Sequence, residues 1–436
     1  MPIPYRFPER DPLRATEVTE PDFDILSRPE YQSLYVDFQQ VRKGNHLDRI
    51  KFLLGMNPQT HTLDQRKHMA AKIIFSGHRG SGKTLELQRL QRQIHRPDGY
   101  LALYVNLEAE TEIQRFAPED LYIILITVLV REIEREGLPI DLSPLHRIAE
   151  EWLQETELRK ELTDEYGMEA SVGLSLGAKF WHFLGIEGKF KGVYAQSNAT
   201  TRTIRQKIKL NQIPLINQLN TVFASLRESL DHYRSRGPGR DLVYIIDGLE
   251  KTAPSVHETL FVKDVQLLQQ LDVHIVSCVP IQTYYEANHP NVATFFEQVY
   301  LPMIRVDETS LPVLREIISR RVDPALFEAG VLEDMVRMSG GCPRQLLHLA
   351  HQAIVEALGQ PVSLATAATT YRKLGYDRWM TLTKTDKEII RSGEFDDADP
   401  AILELLFTLQ LFEYNGDRRE RKLNPLLQPF FEAPTP

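Results

Sequence analysis

The chain has 436 residues, 25% of them charged and 42% hydrophobic, the balance of an ordinary soluble protein of two to four domains able to bury a sizeable core. A net charge of −9 excludes a molecule built as a whole to bind polyanions, although a local basic patch is compatible with it. Two cysteines, Cys278 and Cys342, exclude a disulfide scaffold and fit a reducing compartment. The N-terminal MPIPYRFP has no apolar signal core, and the longest apolar run, 121–130, is too short for a bilayer, so the expectation is a cytoplasmic protein with no membrane partner.

Residues 1–30, rich in Pro and charge, read as an extended or disordered arm. Residues 31–54 show helical spacing, with Leu34, Phe38, Val41, Leu47, Ile50 and Leu54 inward. From residue 73 short apolar strands alternate with helices: strand 73–75, a glycine loop, a helix to about 94, strand 100–107, a long helix from Pro118 to 135, and helix 214–233. Strand 242–247, helix 256–271, strand 273–279 and a last strand near 299–306 follow. This rhythm predicts an α/β fold, a parallel sheet flanked by helices. Residues 141–212 interrupt it. A charged helix at 150–166 leads into small and apolar alternation from Ala170 and then Phe180-Trp181-His182-Phe183, which reads as an inserted β-hairpin. From 311 the pattern is helical. Residues 382–431 read as two short helices plus a hairpin with arms 411–414 and 421–423 around Asn415-Gly416. The expected domains are an arm and helix at 1–60, an α/β core at 61–308 containing the 141–212 insertion, a helical lid at 309–378 and a winged-helix-like tail at 379–436.

Gly77-His78-Arg79-Gly80-Ser81-Gly82-Lys83-Thr84 fits G-x-x-x-x-G-K-[ST], between an apolar strand and a helix-forming run that begins Leu85-Glu86. The glycines permit backbone angles that turn N–H groups inward around a phosphate, and the following helix adds the positive end of its dipole. Lys83 would reach the β- and γ-phosphates, and the Thr84 hydroxyl would hold Mg²⁺. Leu242-Val243-Tyr244-Ile245-Ile246-Asp247 is a buried strand ending in an acid, which would bring a second Mg²⁺ ligand to the carboxyl edge of the sheet. Glu250 is the candidate for polarising an attacking water; its alternative is an exposed acid in a turn. Glu258 and Asp264 are weaker candidates that read as solvated helix positions. Ser277 is either a γ-phosphate sensor or a plain strand residue.

In Ser339-Gly340-Gly341-Cys342-Pro343-Arg344, two glycines end one helix, Pro343 opens the next and Arg344 sits at its N-terminus. A cation against its own helix dipole is unfavourable, which points to an anionic partner, either a nucleotide phosphate or a surface carboxylate. Arg320 and Arg321 end an apolar helix stripe and read as a solvated helix end or as an arginine finger for a neighbouring subunit. His348 and His351 share a helix face without a third metal ligand. The basic residues Lys179, Lys189, Lys191, Arg202, Arg205, Lys207 and Lys209, with Glu187 as their sole acid between 170 and 212, form a solvated or protein-docking face or a nucleic-acid contact. The same choice applies to Arg418-Arg419-Glu420-Arg421-Lys422.

Gly77–Thr84 and Ile245-Ile246-Asp247-Gly248-Leu249-Glu250 resemble the Walker A and Walker B motifs of the AAA+ and STAND branch of P-loop ATPases, and Gly341-Cys342-Pro343-Arg344 resembles their Gly-x-Pro and sensor-2 region. The resemblance spans roughly residues 31–436 apart from 141–212. It implies a P-loop NTPase core, helical lid and winged helix, with ATP and Mg²⁺ as ligands. Gly77 through Leu85 and Pro343 would line the nucleotide, Thr84 and Asp247 would hold the metal, and Lys83, Glu250 and Arg344 would serve hydrolysis. It further implies slow ATP turnover by a molecular switch that homo-oligomerises or serves a separate sensor or effector protein, in bacterial signalling or defence. Two alternatives stand beside it: a DNA-associated loader or recruitment ATPase of the replication-initiator or transposition-regulator kind, and a scaffold that binds ATP without hydrolysing it.

Overall fold

The computed structural model describes residues 5–23, 25, 28–42, 44–63, 67, 69–153, 160, 163–164, 175–185, 199–233, 241–286, 294–395, 399–414 and 419–432. They belong to two compact units. One comprises Met1–Asn45, Gly77–Lys83 and Tyr300–Pro436, the other His46–Ser76 and Thr84–Val299.

Five strands form one sheet: β1 (Lys72–Gly77), β2 (Tyr100–Asn106), β3 (Asp241–Asp247), β4 (His274–Cys278) and β5 (Glu297–Leu301), in the order β2-β3-β4-β1-β5. The β1–β4, β2–β3 and β3–β4 pairs are parallel. Every residue of β1, β3 and β4 is buried, which is why these segments read as continuous apolar runs. The chain leaves β1 toward the β2 edge, whereas every later connection runs back toward the β5 edge. The carboxyl end of β1 is therefore a topological switch point, where open α/β sheets take their ligands. The last strand lies a little earlier than its sequence suggested, at Glu297–Leu301.

Eight helices belong with the sheet among the described residues of the second unit up to β3: α2 (His46–Leu53), α3 (Lys83–Ile94, whose first residue counts with the other unit), α4 (Leu107–Glu110), α5 (Pro118–Glu136), α6 (Ser143–Trp152), α7 (Leu176–Gly185), α8 (Ala199–Leu210) and α9 (Gln212–Tyr233). Helix α5 begins at Pro118 and stops at Gly137 in the left-handed conformation (φ 63°). The expected hairpin is not seen in the described part of its range. Leu176–Gly185 is helical, and Phe180, Trp181, Phe183 and Leu184 fall on one buried face with Trp181 Nε1 donating to the Leu145 carbonyl at 2.8 Å. Residues 170–174, which carried the alternation, lie outside the described residues. The helix expected at 256–271 is divided into α10 (Pro254–Glu258), a π-turn at Thr259–Lys263 and α11 (Val265–Gln270); α12 (Ile281–Glu286) follows β4.

In the first unit the N-terminal segment is folded, contrary to its Pro-rich composition. Asp11 caps α1 (Pro12–Thr19), accepting from the Leu13 and Arg14 amides at 2.9 and 3.2 Å, and Ala15 and Val18 join the helical core. The helix expected over 31–54 is interrupted: Pro29–Leu34 is a 3₁₀ turn, and the helical run resumes only at His46. Helices α13 (Ser310–Ser319), α14 (Val331–Met338), α15 (Pro343–Glu356) and α16 (Leu364–Thr381) build one apolar cluster around Leu314, Met335, Leu346 and Ala350. Helices α17 (Lys384–Ser392) and α18 (Pro400–Phe407) precede the antiparallel pair β6 (Leu411–Tyr414) and β7 (Glu420–Leu423), the winged-helix pattern; a short α19 (Gln428–Glu432) follows. The Asn415-Gly416 turn lies outside the described residues.

Candidate functional site

The glycine loop is held on several sides by residues of its own unit. A Cβ on Gly77 would fall 2.3 Å from the Leu301 carbonyl oxygen. Gly80 has φ 77°, and a Cβ there would meet the Arg344 Cβ at 2.6 Å, so both positions demand glycine. Lys83 is buried, and its Nζ donates to the Gly77 and His78 carbonyls at 2.9 and 3.0 Å. The ammonium therefore closes the loop on itself. Ser81 is buried and its carbonyl accepts from the Arg42 guanidinium, which also stacks over Phe38. The turn that opens α15 packs on the loop as well. The Arg344 amide donates to the Gly80 carbonyl at 3.3 Å, and Cys342 Sγ lies 4.0 and 3.9 Å from the Arg79 and Gly80 carbonyls. Pro343 is the first residue of that helix. Arg79 itself points to solvent.

His78 is buried within the loop, 1% exposed. Its Nε2 accepts from the Glu413 amide of β6 at 2.7 Å, which leaves Nδ1–H to donate to the Leu406 carbonyl at 3.2 Å. Burial pushes its pKa down to about 4, so the imidazole is neutral at pH 7. The acceptor role of Nε2 depends on that neutrality.

In the other unit, Asp247 ends β3 and is buried. Tyr104, one strand away on β2, donates its hydroxyl to Asp247 Oδ2 at 2.8 Å. The Thr84 hydroxyl also faces this carboxylate and favours its charged form. Burial first, and the neighbouring Glu250 second, nevertheless raise the Asp247 pKa. Glu250 sits on the 3₁₀ turn Leu249–Lys251, entered through Gly248 at φ 93°. Asp247 Oδ1 and Glu250 Oε2 are buried and accept no hydrogen bond among the described residues. Cys278, at the end of β4, completes the group: one donor atom from each of Asp247, Glu250 and Cys278 lies within 4.8 Å of the others. Paired buried oxygens without donors are the chemistry of a cation site, so the residues present fit Mg²⁺ or another divalent ion.

Thus Thr84, Asp247 and Glu250 are brought together, as are the glycine loop and Arg344. The Arg344 guanidinium is taken by the carboxylate of Asp22 at 2.5 Å, an anion in the N-terminal segment. Leu85 is half-buried in the first turn of α3. Ser277 is a buried strand residue, and it is the adjacent Cys278 that reaches the carboxylates. Glu258 pairs with Lys263, and Asp264 stands at the start of α11. Neither arginine at the end of α13 is set out as a finger. Arg321 is buried and donates to the Ile317 carbonyl at 2.7 Å, with burial pulling its pKa down to about 10, and Arg320 is held by Glu316 and the Tyr35 carbonyl. His351 bonds the Thr16 carbonyl at 2.9 Å, and burial lowers the pKa of His348. Of the basic segments, Arg205 forms a two-pronged pair with buried Asp120, at 2.8 and 2.6 Å. Arg421 is turned onto buried Glu413 at 2.8 Å, while Arg202 and Lys209 are exposed. Lys189, Lys191 and Arg418 lie outside the described residues.

Sequence reasoning missed Arg42, Tyr104 and Cys278. An Arg in an irregular segment and a Tyr in a buried strand carry no spacing signal. The cysteine was signalled only by its place at the end of the strand beside Ser277.

No protein-family model matches the chain, and no curated protein sequence matches it. Among solved structures it is similar to Cdc6p from Pyrobaculum aerophilum, with a TM-score of 0.40 and 11% identity over 95% of each chain. It is also similar to the Aeropyrum pernix ORC1 protein, solved in complex with DNA, with a TM-score of 0.39 and 16% identity over 98% of this chain and 99% of that one. At these values the likeness adds nothing to what the sheet and the loop establish by themselves. Among the described residues, no helix is long and apolar enough to cross a membrane.

Proposed function

We propose that this chain is a P-loop ATPase of the AAA+/STAND type, a switch whose conformation or assembly follows its bound nucleotide. The observation that carries the reading is the Lys83–Thr84 junction, where the glycine loop passes into α3 and the Thr84 hydroxyl faces the Asp247 carboxylate. The loop amides and the start of a twelve-residue helix are suited to phosphate oxygens. Lys83 now bonds two loop carbonyls, and a phosphate would replace them with a stronger, charge-assisted acceptor. Thr84 and Asp247 would hold Mg²⁺, and that ion, when bound, would offset the charge of the phosphate oxygens. Glu250, with an oxygen lacking any donor, would take a proton from an attacking water. Arg344 would exchange Asp22 for a phosphate.

Binding of a fluorescent ATP analogue, ATP turnover and particle size, each measured with and without nucleotide, test this. Lys83→Ala is expected to abolish binding at concentrations that saturate the wild type. Glu250→Gln is expected to keep binding and lower turnover by ~10²-fold or more. Full ATP affinity in Lys83→Ala would overturn the reading. Turnover unchanged in Glu250→Gln would remove Glu250 from the reaction, and a particle of the same size in all nucleotide states would remove assembly from the switch.

A further inference from the structure

Resting on the reading that Asp247 serves the nucleotide's cation, we propose that Asp247, Glu250 and Cys278 form a thiol-bearing metal site that takes a thiophilic divalent ion such as Co²⁺, Zn²⁺ or Cd²⁺ in preference to Mg²⁺, without nucleotide. Three donors of two kinds, two carboxylate oxygens and one sulfur, lie within 4.8 Å of one another. Asp247 is 4% exposed and its Oδ1 is without a hydrogen-bond donor, as is Glu250 Oε2. The second oxygen of Asp247 is already fixed by Tyr104, which orients the first. Two carboxylates facing one another away from water repel, and a cation between them removes both the repulsion and the unmet acceptors.

The sulfur decides which cation. Oxygen-only donors suit Mg²⁺, a small octahedral ion that keeps its water, whereas a thiolate selects softer ions. Three protein ligands with one position left open is the arrangement of tetrahedral zinc sites that also bind a further molecule. Ligand bonds of about 2.0 to 2.3 Å bring tetrahedral donors to roughly 3.5 Å apart, so donors within 4.8 Å close by about 1.3 Å at most. Glu250, on a single 3₁₀ turn after Gly248, has the freedom to supply that movement. Binding exchanges the thiol hydrogen for the metal: an S–H bond breaks, an S–metal bond forms and one proton passes to solvent. Because Glu250 becomes a ligand, an ion held here withdraws the acceptor on which hydrolysis depends, and such ions are expected to inhibit turnover.

The chain's only other cysteine provides the control, since Cys342 belongs to the other unit. Co²⁺ is titrated into the full chain without nucleotide, and the near-ultraviolet thiolate-to-cobalt charge-transfer absorption is followed. One equivalent should saturate the band. It should be absent in Cys278→Ser, retained in Cys342→Ser, and displaced by Zn²⁺ but not by equal Mg²⁺. Asp247→Asn, checked for folding by circular dichroism, should weaken Co²⁺ binding by at least tenfold. No band in the wild type, a band surviving in Cys278→Ser, or displacement by Mg²⁺ as effective as by Zn²⁺ overturns the proposal. The cluster His95, Glu132 and Glu136 has no sulfur and cannot produce this signal. ATP binding with Mg²⁺ is measured on the same samples. ATP binding without the band sinks only the metal inference, and the band without ATP binding sinks only the nucleotide reading.

Discussion

His78 makes the loop sensitive to acid, and the size of the effect follows from its burial. In the unfolded chain the imidazole titrates near 6.5; in the folded chain burial holds it at about 4. A histidine whose folded pKa is lowered contributes stability that is complete above 6.5 and is lost as pH falls toward 4, because the unfolded chain takes up the proton first. The full window of about 2.5 units corresponds to ~3 kcal/mol, and lowering the pH from 7.5 to 5.0 forfeits ~2 kcal/mol of it. Once protonated, Nε2 no longer accepts the Glu413 amide, and the link between loop and β6 breaks. The test is a pH titration of ¹³C-labelled histidines by NMR, with His78→Gln assigning the resonance, together with denaturation of both proteins at pH 7.5 and 5.0. The His78 resonance should titrate near pH 4, and the wild type should lose ~2 kcal/mol more than His78→Gln over that interval. Other buried histidines, such as His257, contribute equally to both proteins and cancel. A midpoint at or above 6.5, or equal pH dependence in the two proteins, would refute the reasoning.

Two further outcomes follow from named ion pairs. On the proposed function Asp22 would compete with phosphate for Arg344, and because the pair is largely exposed its worth is ~0.5–1 kcal/mol, so Asp22→Asn should tighten ATP binding about two- to fivefold; an unchanged or weaker dissociation constant in a titration would show that Arg344 does not meet the nucleotide. Arg205→Ala strands the fully buried Asp120 carboxylate and should cost ~3 kcal/mol, with Arg205→Ala/Asp120→Asn losing less than the single change; a thermal midpoint within about a degree of wild type would place Asp120 outside the core.

Much of the architecture was legible because burial on both faces makes parallel strands apolar throughout, and because only glycine tolerates the loop's close approaches at Gly77 and Gly80. The glycine motif and the apolar strand ending in an acid led to Thr84 and Asp247, whose side chains face one another. Ser277 against Cys278 shows where this stops. Adjacent residues on a strand face opposite ways, and in β4 both faces are buried, so no polarity pattern distinguishes them. Arg344 shows a different limit. The helix-dipole argument required an anion, and one is present, but Asp22 comes from a segment 322 residues away whose fold its composition concealed. The insertion misled because Phe180-Trp181-His182-Phe183 serves a strand as readily as a helix when the turns around it are ambiguous.

The loop is tied to the rest of its unit by contacts of unequal strength, and the inequality sets which of them a ligand can move. The Arg344 amide reaches the Gly80 carbonyl only at 3.3 Å, a long bond that costs little to break. The bond from Arg42 to Ser81 has a charged donor, but its acceptor is a carbonyl that a small rotation can reorient. The His78–Glu413 bond is different in kind, because breaking it without water leaves a buried amide and a buried imidazole nitrogen unsatisfied, about 1–3 kcal/mol for each group. Movement of the loop should therefore leave the N-terminal segment and α15 first and carry β6 with it. Coupling between sites is reciprocal, so a ligand that favours one position of His78 must be bound more tightly when β6 is already there. On this physics β6 is the neighbour that a movement of the glycine loop would carry with it.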